Sequence, residues 1–173
     1  MYIPGLITIS YLYNSNPCEL PCDKHSAINI FINILIAECL YASTTIVKPY
    51  TNFNIKNIIL FLILQDIWFY TFHKLFHSIP ILYRIHKLHH SKFGPFFTWY
   101  IDWREHVLIN IGSFTIPWLL FPNNPIVLVS LIIIQIYSAV DGHKEKSQHE
   151  IHHLFNNRRY GSIYLLDRIF GTY

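Results

Sequence analysis

The sequence predicts an all-α integral membrane protein. About four transmembrane helices would carry a histidine-rich, di-metal helical cap on their cytosolic face. Three observations predict it. Apolar residues are bunched into long runs in a chain that is 52% hydrophobic and 13% charged, against about 25% charged in an average soluble domain. Nine of the 11 histidines fall in HKLFH, HKLHH and HEIHH or just ahead of the last of these. Most lysines and arginines lie at the same ends of the apolar runs as those histidines. At 173 residues the chain should be one domain, with a core of about 60–173 and an N-terminal part, 1–59, that holds the first membrane helix.

Residues 1–24 are mixed and suit the membrane surface. They lack the basic opening of a cleavable signal peptide. Cys18 and Cys22 are a small redox pair or without role, and Cys39 is a packing residue. The first membrane helix should cover 26–47, with Glu38 as its one charge, which at that depth needs a partner or a cavity. The second covers about 55–72 and runs straight into His73. From His77 to Arg104 the chain is amphipathic and aromatic, broken at Ser78-Ile79-Pro80 and Gly94-Pro95. Two further apolar segments, about 107–121 and 125–140, are joined by Pro122-Asn123-Asn124-Pro125 and are short for full spans. A polar tail from Asp141 to Tyr173 follows, amphipathic around Ile163–Phe170, and its FGTY end carries no sorting or lipid-anchor signal.

Topology follows from the segment ends. The exit of the second segment, the entry of the third and the exit of the fourth share one side. That side holds Lys74, Arg84, Lys87, Lys92, Arg104, Lys144, Lys146, Arg158, Arg159 and Arg168, and the opposite loops hold Lys48 and Lys56. The richer side is expected in the cytosol, with both termini. The net charge of +3, without a lysine/arginine run, argues against nucleic-acid binding.

On a helix, residues three and four apart share a face. His73 with His77, His86 with His89 and His90, and His149 with His152 and His153 would each point one way, with His143 nearby. Imidazole binds iron, zinc, copper or nickel, and nine imidazoles are too many for one ion. Two ions are expected; the plain alternative is surface histidines at a membrane interface. A catalytic zinc needs only three protein ligands and an open position, so ligand number favours a redox pair. Asp66, Asp141, Glu150 and Asp167 are candidates to orient the imidazoles. Asp102, Arg104, Glu105 and His106 form a polar knot before the third apolar segment, where His106 is a further candidate ligand. His25, ahead of the first membrane helix, should be dispensable.

The stretches QDIWFYTFHKLFH, LYRIHKLHHS, HEIHH and YGSIYLLDRIFGT together resemble the fatty acid hydroxylase / sterol desaturase superfamily of membrane oxygenases. The resemblance covers roughly 60–173 and includes Asp66, Tyr70, Tyr160-Gly161, Asp167 and Phe170-Gly171-Thr172. It implies a non-haem di-iron centre at the cytosolic face of the endoplasmic reticulum. Its ligands would be His73, His77, His86, His89, His90, His149, His152 and His153, with His143 as the additional histidine. It further implies dioxygen as co-substrate, a membrane lipid (fatty acyl chain or sterol) that is hydroxylated or desaturated, and electrons from a separate b-type cytochrome and its NAD(P)H reductase. No GxGxxG for an internal nicotinamide or flavin is present. Many sterol-modifying members place a His-Pro pair near Arg104-Glu105, which this chain lacks.

Two other readings stay open: a metal-binding membrane scaffold without turnover, and a zinc-dependent membrane hydrolase. On the oxygenase reading, some of Trp68, Phe69, Phe72, Phe76, Phe96, Phe97, Trp99 and Trp103 should line a channel from the bilayer to the metals. The alternative is that they anchor helices at the interface.

Overall fold

The computed structural model describes residues 24–47 and 52–173, and among these every regular element is helical. Cys18 and Cys22 lie outside the described residues. Helix α1 is Lys24–Val47, α2 is Ile55–Ser78, and α3 is the short Pro80–His86. Two 3-10 turns follow, at His89–Ser91 and Pro95–Trp99. A helical run 103–120, here α4, begins with one turn at Trp103–Glu105, widens to π-helix at His106–Ile111 and continues as α-helix over Gly112–Leu120. Then come α5 (Pro125–Gly142), α6 (Gln148–Phe155) and α7 (Leu165–Phe170).

Local chemistry sets the ends. Asn54 caps α2 by accepting from the Lys56 and Asn57 amides, and Pro80 and Pro125 occupy first-turn positions of α3 and α5, where a missing N–H costs nothing. The apolar helices pack through Phe61 of α2, Phe114 and Trp118 of α4, and Leu128 and Ile132 of α5. Gln65 Nε2 donates to Gln135 Oε1 at 3.2 Å within the bundle. The α4–α5 loop is tied to the start of α2: Asn54 N donates to Asn123 Oδ1 and Asn123 Nδ2 to the Asn54 carbonyl. That loop thus marks the end of the bundle away from the histidines.

Among the described residues, two helices, α2 and α5, are long and apolar enough to cross a membrane. The fourth apolar segment is therefore longer than expected, 18 residues rather than 16. Of the four expected spans, the first, α1, and the third are not among these candidates; the third begins with short α and π turns rather than regular α-helix. Outward faces are apolar: Phe31 and Leu35 on α1, Ile59 and Ile63 on α2, and Ile126 and Ile134 on α5 are all exposed. Polar side chains such as Asn33, Gln65 and Ser113 are buried instead. This reversal of the soluble pattern is what an apolar solvent favours. The asparagines of α1 hold the loop before α4. Asn33 donates to the Trp99 and Ile101 carbonyls, and Asn29 accepts from the Ile101 amide.

Candidate metal centre

Four parts of the chain deliver the nine imidazoles. His73 and His77 lie four apart at the end of α2. His86 ends α3, and His89 and His90 open the next 3-10 turn. His143 caps α5, and α6 carries His149, His152 and His153 behind an N-cap in which Ser147 Oγ accepts from the Glu150 amide.

They form two clusters. His73, His77, His86, His90 and His152 make one, and His89, His143, His149 and His153 the other; within each, one ring nitrogen per residue lies within 4.8 Å of all the others. In the first, Nε2 atoms stand 2.8 Å apart for His77–His86, 2.9 Å for His86–His90 and 3.1 Å for His77–His152. In the second, His89 Nε2 lies 3.4 Å from that of His143 and 3.5 Å from that of His149. With metal–nitrogen bonds of about 2.0–2.1 Å, ligand nitrogens stand about 2.9 Å apart at right angles and about 3.3 Å apart in a tetrahedron. Both spacings fit a shared ion. His73 passes the same test: its Nδ1 is taken by the Tyr160 carbonyl at 2.8 Å, and its Nε2 is buried without a hydrogen-bond partner. Such an atom needs an occupant.

The clusters do not follow the sequence boxes, which corrects the expectation that each HxxHH box faces one way. A helix turns about 100° per residue, so residues four apart differ by about 40° but adjacent ones by about 100°. His149 and His153 therefore go together, while His152 turns to the other cluster. In the second box His86 and His90 pair in the same way, and His89 departs. Each three-histidine box thus supplies both clusters, which locks their separation into the backbone.

The sequence model of the fatty acid hydroxylase family matches residues 58–172, a span that contains all nine histidines. The chain belongs to the fatty acid hydroxylase family. It is 36% identical over 109 residues to the C-4 methylsterol oxidase erg25 of Schizosaccharomyces pombe, a match covering 58% of this chain and 36% of that protein. To methylsterol monooxygenase 1 of Gallus gallus it is 28% identical, over 64% of this chain and 43% of the relative. To the fatty acid hydroxylase ahd1 of Mycosarcoma maydis it is 30% identical, over 64% and 32%. The chain thus spans less than half the length of the curated relatives it matches. Sterol oxidases stand among them although the His-Pro pair is missing. No solved structure matches.

In this member of the fatty acid hydroxylase family, backbone carbonyls do most of the orienting. Those of Tyr160, Arg158 and Ala139 meet the Nδ1 atoms of His73, His152 and His143 at 2.8, 2.7 and 2.8 Å. Each contact fixes a proton on Nδ1 and leaves Nε2 as the ligand atom. Among the described residues the carboxylate in this role is Glu105, whose Oε1 lies 2.5 Å from His86 Nδ1 with both side chains almost wholly buried. Sequence reading placed Glu105 in the polar knot without assigning it a partner. The available signal was a carboxylate at the mouth of an apolar segment, which is costly there unless paired.

The four carboxylates proposed for that task do otherwise. Asp141 pairs with Lys144 at the surface, and Glu150 accepts from the Lys146 amide. Asp167 accepts from the Tyr160 and Gly161 amides and from Thr172 Oγ1, so it reaches His73 only through the Tyr160 backbone. Asp66 accepts from the Ile163 and Leu166 amides and seats α7 against α2. A Cβ on Gly161 would come within 2.7 Å of Asp66 and 2.8 Å of Asp167, so only glycine fits between these carboxylates. Tyr70 completes the seat, stacking on Phe170 and reaching Thr172 Oγ1 with its hydroxyl.

Burial holds the clustered imidazoles neutral. It pulls His90 and His143 down to about 4 and His153 to about 2, in His153 with help from neighbouring imidazoles. For Glu105, burial first and the Asp102 charge second push the carboxyl up, while burial lowers His86. At neutral pH each such imidazole carries a single ring proton and keeps its other nitrogen open to a metal. Glu105→Gln should lower metal affinity by roughly 10–100-fold at the cluster containing His86, read by competition with a chelator; unchanged affinity would remove Glu105 from its orienting role.

One cavity opens on both clusters. His73 and His86 of one cluster and His89, His143 and His149 of the other line it. Between the helices its walls include Ile34 and Glu38 of α1, Phe69 of α2, Ser113 and Phe114 of α4, and Ile132 and Gln135 of α5. Glu38 thus faces a cavity, as a charge at that depth requires. Of the eight aromatic residues, some of them expected to line a channel, Phe69 and Trp99 line this cavity. Phe76 and Phe96 are core, Trp103 is exposed, and Phe97 packs on Tyr100. Trp68 stacks on Phe72 and donates to the Leu108 carbonyl. A helix presents only part of any such run to one cavity. His106 also lines the cavity but belongs to neither cluster.

Proposed function

We propose that this chain is the core of a membrane lipid oxidoreductase holding two irons, which hydroxylates or desaturates a fatty acyl chain or sterol. The observation that carries the reading is the joining of two imidazole clusters to one largely apolar cavity. Family membership supports oxidation of a lipid in general, because the relatives are named as methylsterol oxidases and a fatty acid hydroxylase. In the proposed assignment His73, His77, His86, His90 and His152 hold one ion and His89, His143, His149 and His153 the other. Two irons so held would supply, with dioxygen and two electrons, the oxidising power to break an unactivated C–H bond.

The chain's own residues do the rest. The cavity walls exclude water from the reacting carbon, the carbonyls of Tyr160, Arg158 and Ala139 keep the rings in one tautomer, and the bundle holds the lipid tail. The apolar outer faces of α1, α2 and α5 support a multi-pass protein of about four spans. By the positive-inside rule the clusters would face the cytosol, with the endoplasmic reticulum as the expected membrane. Electrons would come from a b-type cytochrome and its NAD(P)H reductase.

The test is metal analysis with turnover. Protein purified in detergent should hold about two irons per chain, in keeping with four or more nitrogen ligands for each ion. It should consume dioxygen in step with lipid oxidation when given reductant. One zinc per chain and no oxygen uptake would replace this reading with the hydrolase. Two bound ions with no oxygen uptake on any lipid would replace it with the scaffold. Cavity shape should also set chain length. Ile136→Phe, which adds bulk to the wall, should lower the longest acyl chain oxidised by about two to four carbons, at an overpacking cost of about 1–3 kcal/mol. An unchanged chain-length profile with unchanged metal would place the lipid elsewhere.

A further inference from the structure

The cavity wall carries a polar pair that neither cluster uses. His106 is 2% exposed and shares the wall with His86 and His89. Its Nδ1 lies 3.1 Å from the Asn110 amide nitrogen. A ring nitrogen that accepts from an amide N–H leaves the ring proton on the other nitrogen, so Nε2 is a donor. That Nε2 is buried without a hydrogen-bond partner. The Asn33 backbone carbonyl on α1 approaches the ring without reaching hydrogen-bond geometry at Nε2. A buried donor left unpaired is disfavoured unless something completes it.

Two further observations point the same way. His106 and Asn110 both sit in the π-helical stretch His106–Ile111, and such widened turns are rare and frequently mark functional positions. Beside them Glu105, on the same wall, keeps its Oε2 buried without a partner while Oε1 holds His86. The wall therefore presents one unpaired donor and one unpaired acceptor on consecutive residues. A hydroxyl, which both accepts and donates, complements that pair.

We propose that His106, oriented by Asn110, recognises a hydroxyl oxygen carried by the lipid substrate. This rests on the lipid reading of the cavity given above. It orients the substrate: the oxygenated end lies beside the histidines, and the tail runs towards Phe114 and Ile132. Oxidation then falls on carbons near an oxygen the lipid already carries. The reaction that supplies the substrate must accordingly leave or install a hydroxyl on it.

The experiment compares hexadecan-1-ol with hexadecane as ligands of the metal-loaded protein in detergent, as wild type, His106→Phe and His106→Gln. The affinity ratio of alcohol to alkane should fall at least about fivefold in His106→Phe, as expected for losing one buried hydrogen bond. Glutamine, which still offers an N–H, should retain most of the ratio. Bound metal should be equal in all three. Asn110→Leu leaves the ring in place without its orienting amide and should also lower the ratio; it carries the test should the phenylalanine variant not fold. An unchanged ratio in His106→Phe or in Asn110→Leu, with both lipids bound, would overturn the role of His106 and leave the lipid reading standing. Binding of neither lipid by the wild type would overturn both.

Discussion

His152→Ala should reduce bound metal from about two ions per chain to about one, and it should abolish turnover. His152 is fully buried, its Nδ1 is held by the Arg158 carbonyl at 2.7 Å, and its Nε2 stands 3.1 Å from that of His77. Alanine removes a ligand and leaves a hole that water or another side chain cannot fill with equal basicity. His89→Ala should have the same effect on the other cluster, and the double variant should hold no metal. This pairing is a sharper test than activity alone, because His152 and His89 belong to different clusters while each of their boxes contributes to both. Retention of two ions and full turnover in His152→Ala would sink the ligand assignment. His25→Ala is the control: His25 is exposed on the first turn of α1 and should change neither quantity.

Asp167→Ala should be the most destabilising change outside the histidines. The carboxylate is fully buried and accepts from the Tyr160 amide at 2.9 Å, the Gly161 amide at 2.6 Å and Thr172 Oγ1 at 2.7 Å. Its removal strands three donors, at about 1–3 kcal/mol each and less than additively, for about 3–5 kcal/mol in all. Against a total stability of about 5–15 kcal/mol that is a large loss. Metal should weaken with it, because the Tyr160 carbonyl that orients His73 belongs to the same loop. Thermal unfolding of the metal-free protein reads the first effect and chelator competition the second. Asp167→Asn should fall between, since the amide keeps one acceptor oxygen. Asp141→Ala is the contrast: its pairing with Lys144 is exposed, and its loss should change stability by less than about 1 kcal/mol. Equal effects of the two substitutions would mean that the seat of α7 does not hold His73.

Much of the site was legible in the sequence because its signals are local. HxxxH and HxxHH spacing groups imidazoles on short helices whatever the rest of the chain does, and all nine expected histidines converge. Proline and asparagine breaks marked the end of α2, the start of α3 and the α4–α5 loop within a residue or two, since capping and the missing proline N–H act over one turn. Long apolar runs also announced a bundle whose outside is greasy.

What only the tertiary structure decided depends on distant partners. The sequence alone determined that nine imidazoles would gather, and roughly on which helices. It could not say which five and which four share a nitrogen sphere, because the helical turn sends His152 and His153 apart and only docking of α6 against α2 and α3 assigns each a destination. Asp66 and Asp167 could be read as acidic residues near the boxes. Their work on the amides of Tyr160, Gly161, Ile163 and Leu166 exists only once the tail has folded back on α2. Glu105 and His106, adjacent in one polar knot, part for the same reason. One meets His86 across 19 positions of chain, while the other faces the cavity with a buried N–H to spare. A side chain's chemistry is written in its residue type, but its partner is set by packing between segments that share no local pattern.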